Sequence, residues 1–188
     1  MMRWLLWLVA GALLGGIVHL VAVLILPRTA TQDAYARLTP IAPVNAVATV
    51  PQPLPQNEVM PFMDPAFATA VCRYDLTEGP IKLTVPISLA YTSVSFYTRR
   101  GVAYYAINDR AAGRRSIELE LMTADQRGNL QEDEEVTAAD RLIVESPSST
   151  GLILVRALAA EPGLMPAVRA SLNSTTCRKQ PMPAAAGG

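Results

Sequence analysis

The stretch YTSVSFYTRRGVAYYAIN, Tyr91 to Asn108, decides the fold. It holds two short runs rich in β-branched and aromatic residues, Tyr91 to Thr98 and Val102 to Asn108. Between them lies Arg99-Arg100-Gly101, a three-residue loop of the kind made by a type I turn and a left-handed residue. This reads as an antiparallel hairpin. Its register has two options: a three-residue loop sets Phe96 opposite Tyr104, and a two-residue loop sets it opposite Tyr105. Tyr91, Ser93, Ser95 and Tyr97 share one face of the first strand, and Val94 and Phe96 share the other. Together with Tyr104 or Tyr105, and with Asp109 and Arg110 beyond the second strand, the first face is the candidate recognition surface. Tyrosines and serines stack on a sugar or bind a peptide, although ordinary cross-strand packing uses the same residues. Asn108-Asp109-Arg110 reads as turn chemistry first.

More strands flank the hairpin. Ile81, Leu83, Val85 and Ile87 alternate with Lys82, Thr84 and Pro86, and Pro86 suggests an edge or a bulge. Ile117, Leu119 and Leu121 alternate with Glu118 and Glu120. Leu142 to Glu145 and Leu152 to Leu158 read as a second hairpin around residues 146–151. Asp64-Pro65 suggests an N-cap and first helical turn for a helix over Pro65 to Val71, and Pro166 to Leu172 reads as a closing helix. The expected class is α+β to mostly β: a small antiparallel sheet or sandwich with short helices at its ends.

Outside this folded part, taken as residues 63–180, lie three other segments. Residues 1–28 hold an apolar run, Trp4 to Leu26, with no Asp, Glu, Lys or Arg. At about 1.5 Å per residue it is long enough to cross a bilayer core, and Trp4 and Trp7 suit the headgroup interface. It ends in Leu-Pro-Arg without a small-x-small cleavage pair, which favours a retained anchor over a cleaved signal. Gly11 and Gly15 have the spacing of a helix-dimer face. His19, the chain's one histidine, has no carboxylate in the span to pair with. Residues 29–62 carry Pro40, Pro43, Pro51, Pro53, Pro55 and Pro61 and read as an extended spacer, with Gln32 to Leu38 briefly prolonging the helix. Residues 181–188, Pro/Ala/Gly-rich, read as a disordered tail.

Charge and composition narrow the chemistry. The 16 basic and 16 acidic residues balance, with no basic stripe, so nucleic acid is a poor partner. Glu132-Asp133-Glu134-Glu135 reads as a solvated acidic turn. With no histidine after residue 19, Ser-His-Asp and Cys-His catalysis and most catalytic zinc sites fall away, and no glycine-rich phosphate loop is present. No catalytic residue, cofactor or metal ligand is assigned. Asp75, Asp109, Glu118 and Glu120 are the carboxylates from which a hydrolase would have to be built. Cys72 and Cys177 stand 105 positions apart, far from any zinc spacing. In an oxidising space such a pair reads as a disulfide joining the two terminal helices, and in a cytoplasm as two free thiols.

One resemblance covers nearly the whole chain. It rests on Asp64-Pro65, Ala70-Val71-Cys72-Arg73-Tyr74-Asp75-Leu76, Gly79-Pro80, Ser93-Val94-Ser95-Phe96-Tyr97, Gly101, Tyr105, Asn108-Asp109-Arg110 and Cys177-Arg178. This pattern resembles small anchored members of the domain-of-unknown-function family 1254. It implies a bacterial integral membrane protein with an external β-rich domain and fits a Cys72–Cys177 bridge, but brings no established activity. The expectation is a single-pass inner-membrane protein with its N-terminus cytoplasmic and its domain periplasmic. Its partners would be the lipid bilayer, another envelope protein, or a second copy of itself. Non-enzymatic envelope interaction or assembly is the leading role, a binding module for a glycan or small ligand the second, and a carboxylate hydrolase the third.

Overall fold

A computed structural model describes residues 2–29, 33–54, 59–88, 90–112, 115–129 and 142–181. The acidic turn at 132–135, Pro55 and residues 182–188 of the expected tail lie outside the described residues.

Two units make up the chain, residues 1–33 and 34–188. The first is helix α1, Met2–Thr29. Its segment Met2–Leu26 has a mean hydropathy of 2.5, which makes it long and apolar enough to cross a membrane, a signature it shares with a signal sequence.

The second unit is mostly β: two sheets packed face to face. The five-stranded sheet has the order β1 (Val47–Thr49), β2 (Phe67–Asp75), β8 (Thr150–Leu158), β4 (Thr92–Thr98), β5 (Ala103–Asn108). The four-stranded sheet has the order β7 (Leu142–Ser146), β6 (Ser116–Thr123), β3 (Ile81–Pro86), β9 (Thr176–Lys179). Pairing is antiparallel except between β6 and β7, which run parallel. Short helices α2 (Ala34–Arg37), α3 (Asp109–Ala112), α4 (Ala124–Gly128) and α5 (Met165–Leu172) fill the connections. Thr123 caps α4 with a reciprocal capping box to Gln126.

The core lies between the sheets, where period-two alternation delivers one face of each strand. Cys72, Tyr74, Val94, Phe96, Ile153 and Val155 meet Ile81, Leu83, Val85, Ile117, Leu119 and Leu121 there. The alternations read in β3 and β6 are those the fold uses. Cys72 and Cys177 are joined by a disulfide inside this core. It links β2 of one sheet to β9 of the other rather than two terminal helices, since Cys72 lies on a strand. A loop of that length stabilises by about 4–5 kcal/mol in the chain-entropy picture.

Several expectations are corrected. The helix over Pro65 to Val71 is absent. The Asp64 carboxylate accepts the Ala66 N–H at 2.9 Å in a turn, and the chain then enters β2. That segment has Thr69, Val71 and an alternation that suits burial on both faces, and nine residue pairs with β8 outweigh the helix propensity of its alanines. The second hairpin is absent too: β7 and β8 belong to different sheets, so residues 147–149 carry the chain across the sandwich. Strand β3 is interior, between β6 and β9, and Pro86 falls at its end, beyond the reach of β9.

The spacer expected over 29–62 is folded over much of its length. α2 and β1 lie within it, and Tyr35, Leu38, Ala42 and Val50 are buried against Val71 and Leu152 on the outer face of the five-stranded sheet. Each such aliphatic burial contributes about 1.5–3 kcal/mol, more than polyproline preference can oppose. Prolines 40 and 43 bracket the turn instead of stiffening a rod. The Arg73 guanidinium donates to the Ala42 carbonyl at 3.1 Å and stacks 4.2 Å from the Tyr35 ring centroid. Asn45, in the left-handed region at φ 57°, exchanges hydrogen bonds with the Asp75 backbone. The folded unit therefore begins at Ala34, not residue 63.

Candidate functional site

The hairpin β4–β5 forms around the three-residue loop, with Gly101 at φ 82° and the Thr98 N–H bonded to the Val102 carbonyl. Tyr97 then faces Ala103, yet Phe96 faces Tyr105, because a bulge inserts Tyr104 between them. Both register options are thus half right: the loop has three residues, and the bulge shifts the pairing by one.

The bulge sends both tyrosines towards the core. Tyr104 and Tyr105 flank Phe96, with ring centroids at 6.1 and 5.7 Å. The Tyr104 hydroxyl lies 3.1 Å from that of Tyr74, which is 3.0 Å from the Ser146 hydroxyl. Burial pushes the Tyr104 phenol well above the ordinary tyrosine range; its bond to Ser146 pulls the other way, and Tyr74 adds to the rise. Gly151 permits this cluster, because a Cβ there would sit 2.3 Å from the Tyr74 oxygen. Tyr97 packs beneath the N-terminal segment. All four proposed recognition tyrosines are half-buried, and Tyr91 lines a hollow on the outer face. Arg110 is exposed on α3, and one Asp109 carboxylate oxygen is buried without a hydrogen-bond partner among the described residues.

What the outer face presents is a polar row across four strands. Thr69 of β2 pairs with Arg156 of β8, Arg156 with Ser93 of β4, and Ser93 with Asn108 of β5. At about 4.8 Å between strands this row spans roughly 14 Å. Arg156 stands between two hollows. One, about 240 Å³, is apolar, bounded by Leu38, Val50, Met60, Met63, Phe67 and Leu154, with Phe62 and Asp64 also on it. The other, about 220 Å³, is bounded by Tyr91, Ser93, Ser95, Ala106, Asn108 and Ala111. Arg156 is exposed and has no ion pair among the described residues. A third hollow, about 210 Å³ beneath α5, is lined by Ile87, Leu158, Leu164 and Val168 and carries no charged group.

Sequence reasoning found Tyr91, Ser93 and Ser95 and missed Arg156, Thr69 and the Met60–Phe67 wall. A signal for Arg156 existed: it interrupts the apolar run Leu152 to Leu158 on the face it shares with Leu152 and Leu154. The candidate acids are scattered. Asp75 is engaged by Thr77, and Glu118 and Glu120 lie on the other sheet opposite Thr84 and Lys82.

No curated protein matches the chain. In fold it is similar to the VPA0106 protein from Vibrio parahaemolyticus, with a TM-score of 0.57 at 13% identity. That alignment covers 82% of this chain and only 38% of the Vibrio protein, so the chain spans well under half of that protein's length. An uncharacterized protein from Burkholderia cenocepacia aligns over 73% of this chain and 34% of its own, at 14% identity and a TM-score of 0.47. The profile of DUF1254, a protein family of unknown function, matches residues 44–179, most of the β unit from just before β1 to the end of β9, and the chain belongs to that family.

Proposed function

We propose that this protein is a membrane-tethered, non-enzymatic binding domain whose ligand site is the outer face of the five-stranded sheet around Arg156. The observation that carries the reading is the polar row Thr69–Arg156–Ser93–Asn108 between an apolar and a polar hollow. A few convergent polar groups set against an apolar wall are what small-ligand sites use. α1 supplies the tether, retained in the inner membrane with its N-terminus inside. The Cys72–Cys177 bridge supports a periplasmic domain, since disulfides persist in oxidising compartments.

This displaces envelope protein interaction or assembly, the role that led from sequence, to second place. Fully exposed Phe62 favours it, as an aromatic available to a protein partner. The glycan version of the binding reading weakens, because Tyr104 and Tyr105 pack on Phe96 and Tyr97 packs against the 34–50 layer, which leaves each ring half-buried.

Hydrogen exchange on the full chain in phosphatidylcholine nanodiscs tests the site. Muropeptide fragments, chitin oligomers and medium-chain carboxylates serve as the ligand panel. Protection by one class, confined to residues 59–67, 91–95 and 150–158, is expected. Protection elsewhere, or by none of them, overturns the reading.

A further inference from the structure

Resting on that reading, we propose that the groove takes a single-chain aliphatic carboxylate, with its hydrocarbon in the apolar hollow and its carboxylate on Arg156. The hollow is framed by aliphatic side chains, two thioethers and two aromatic rings, and thioethers adapt to a flexible chain. Its volume of about 240 Å³ suits a short to medium chain and is too small for a two-chain lipid.

Charge settles which end goes where. A carboxylate only accepts hydrogen bonds, and Arg156 brings a fork of donors bordering both hollows. Asn108 adds its amide N–H₂, because its oxygen already accepts the Ala111 N–H at 2.9 Å. Thr69 and Ser93 are the register partners of Arg156 on its two sides. Among the described residues, Asp64 is the one acid lining this groove; it lines the apolar hollow only, and its Oδ1 accepts the Ala66 N–H. A cationic head would meet Arg156 wherever it met the polar row.

The rim carries a further mark. Phe62 is fully exposed at φ 60°, a left-handed conformation that a bulky residue adopts only at a cost. Strain of this kind gathers at ligand clamps. An acyl chain entering beside Phe62 gives that ring an apolar surface to cover.

The test uses the full chain in phosphatidylcholine nanodiscs and two photoreactive probes, a diazirine decanoate and the matching decanol. The carboxylate is expected to label residues 59–67 and 150–158, and excess decanoate to remove the label. Replacing the competitor with octanoate weakens competition about tenfold, the loss expected for two fewer buried methylenes. Arg156→Gln, an exposed change, lowers decanoate labelling tenfold or more and leaves decanol labelling unchanged. Leu154→Trp fills the hollow and removes both labels. Equal labelling by both probes, insensitive to Arg156→Gln, overturns the carboxylate assignment and leaves the groove reading standing. Label confined to Met2–Thr29 overturns both.

Discussion

The two faces of the five-stranded sheet are built from the same strands and could hardly differ more. Its inner face is closed: Cys72, Phe96 and Ile153 meet the other sheet, and even the polar atoms of Tyr74 and Ser146 find partners. The outer face is covered only in part. Residues 34–50 lie across Val71 and Leu152, and the covering stops short of Arg156. Period-two alternation makes each strand serve both faces, so a substitution at one position addresses one face and its neighbour the other. The inner face holds the fold, and the outer face is where a ligand would find room.

Breaking the inner face has the largest expected effect. Replacing Cys72 and Cys177 together by Ala costs about 4 kcal/mol against the oxidised parent, read as a lowered urea midpoint. Mass spectrometry under non-reducing conditions is expected to show the bridge in the membrane fraction; two free thiols there would sink both the bridge and the periplasmic topology. Gly151→Ala follows, at about 3 kcal/mol, because its Cβ would strike the Tyr74 oxygen and the Tyr97 carbonyl at 2.3 Å each.

The outer face predicts a smaller loss of a different kind. The Tyr35 ring lies 4.2 Å from the Arg73 guanidinium and 5.1 Å from that of Arg99. Tyr35→Ala is expected to cost about 2 kcal/mol globally, through lost burial and cation–π contact. It also raises amide exchange selectively over residues 34–50, while β2 and β8 stay protected. Uniform exchange across the sheet would mean that the covering segment is no separate layer.

The same contrast explains what was legible in the sequence. Strand β3, with one face buried and one wet, wrote its alternation openly. Strand β6 did so through its sequence from Ile117 to Leu121, even though Glu120 on its other face is buried as well. Strand β2, buried on both faces, did not, and its alanines and the Asp64-Pro65 turn imitated a helix start. The prolines of residues 40–53 imitated a spacer because burial of Leu38 and Val50 is a tertiary fact with no local period. At the candidate site the Tyr91–Ser93–Ser95 face followed from alternation alone. The bulge at Tyr104 was hidden, since one extra residue in a strand leaves no compositional trace. So was the pairing of Arg156 with Thr69 and Ser93, because it joins strands far apart in sequence.

The smallest effect separates the faces by pH. Tyr104 is held neutral by burial, so its folded-state pKa lies above the ordinary value of about 10 that it regains on unfolding. Above about pH 10 the unfolded chain therefore releases a proton that the folded chain retains, and stability falls as pH rises. Below that pH the term is constant. Tyr104→Phe deletes a hydroxyl bonded to Tyr74 and costs about 1 kcal/mol at neutral pH. It also removes one proton's worth of the alkaline slope, so the variant and the parent converge between about pH 10 and 11.5. Curves for Tyr104→Phe that run parallel to the parent would place its ring in solvent, and the division between a closed inner face and an open outer one would fail at the bulge.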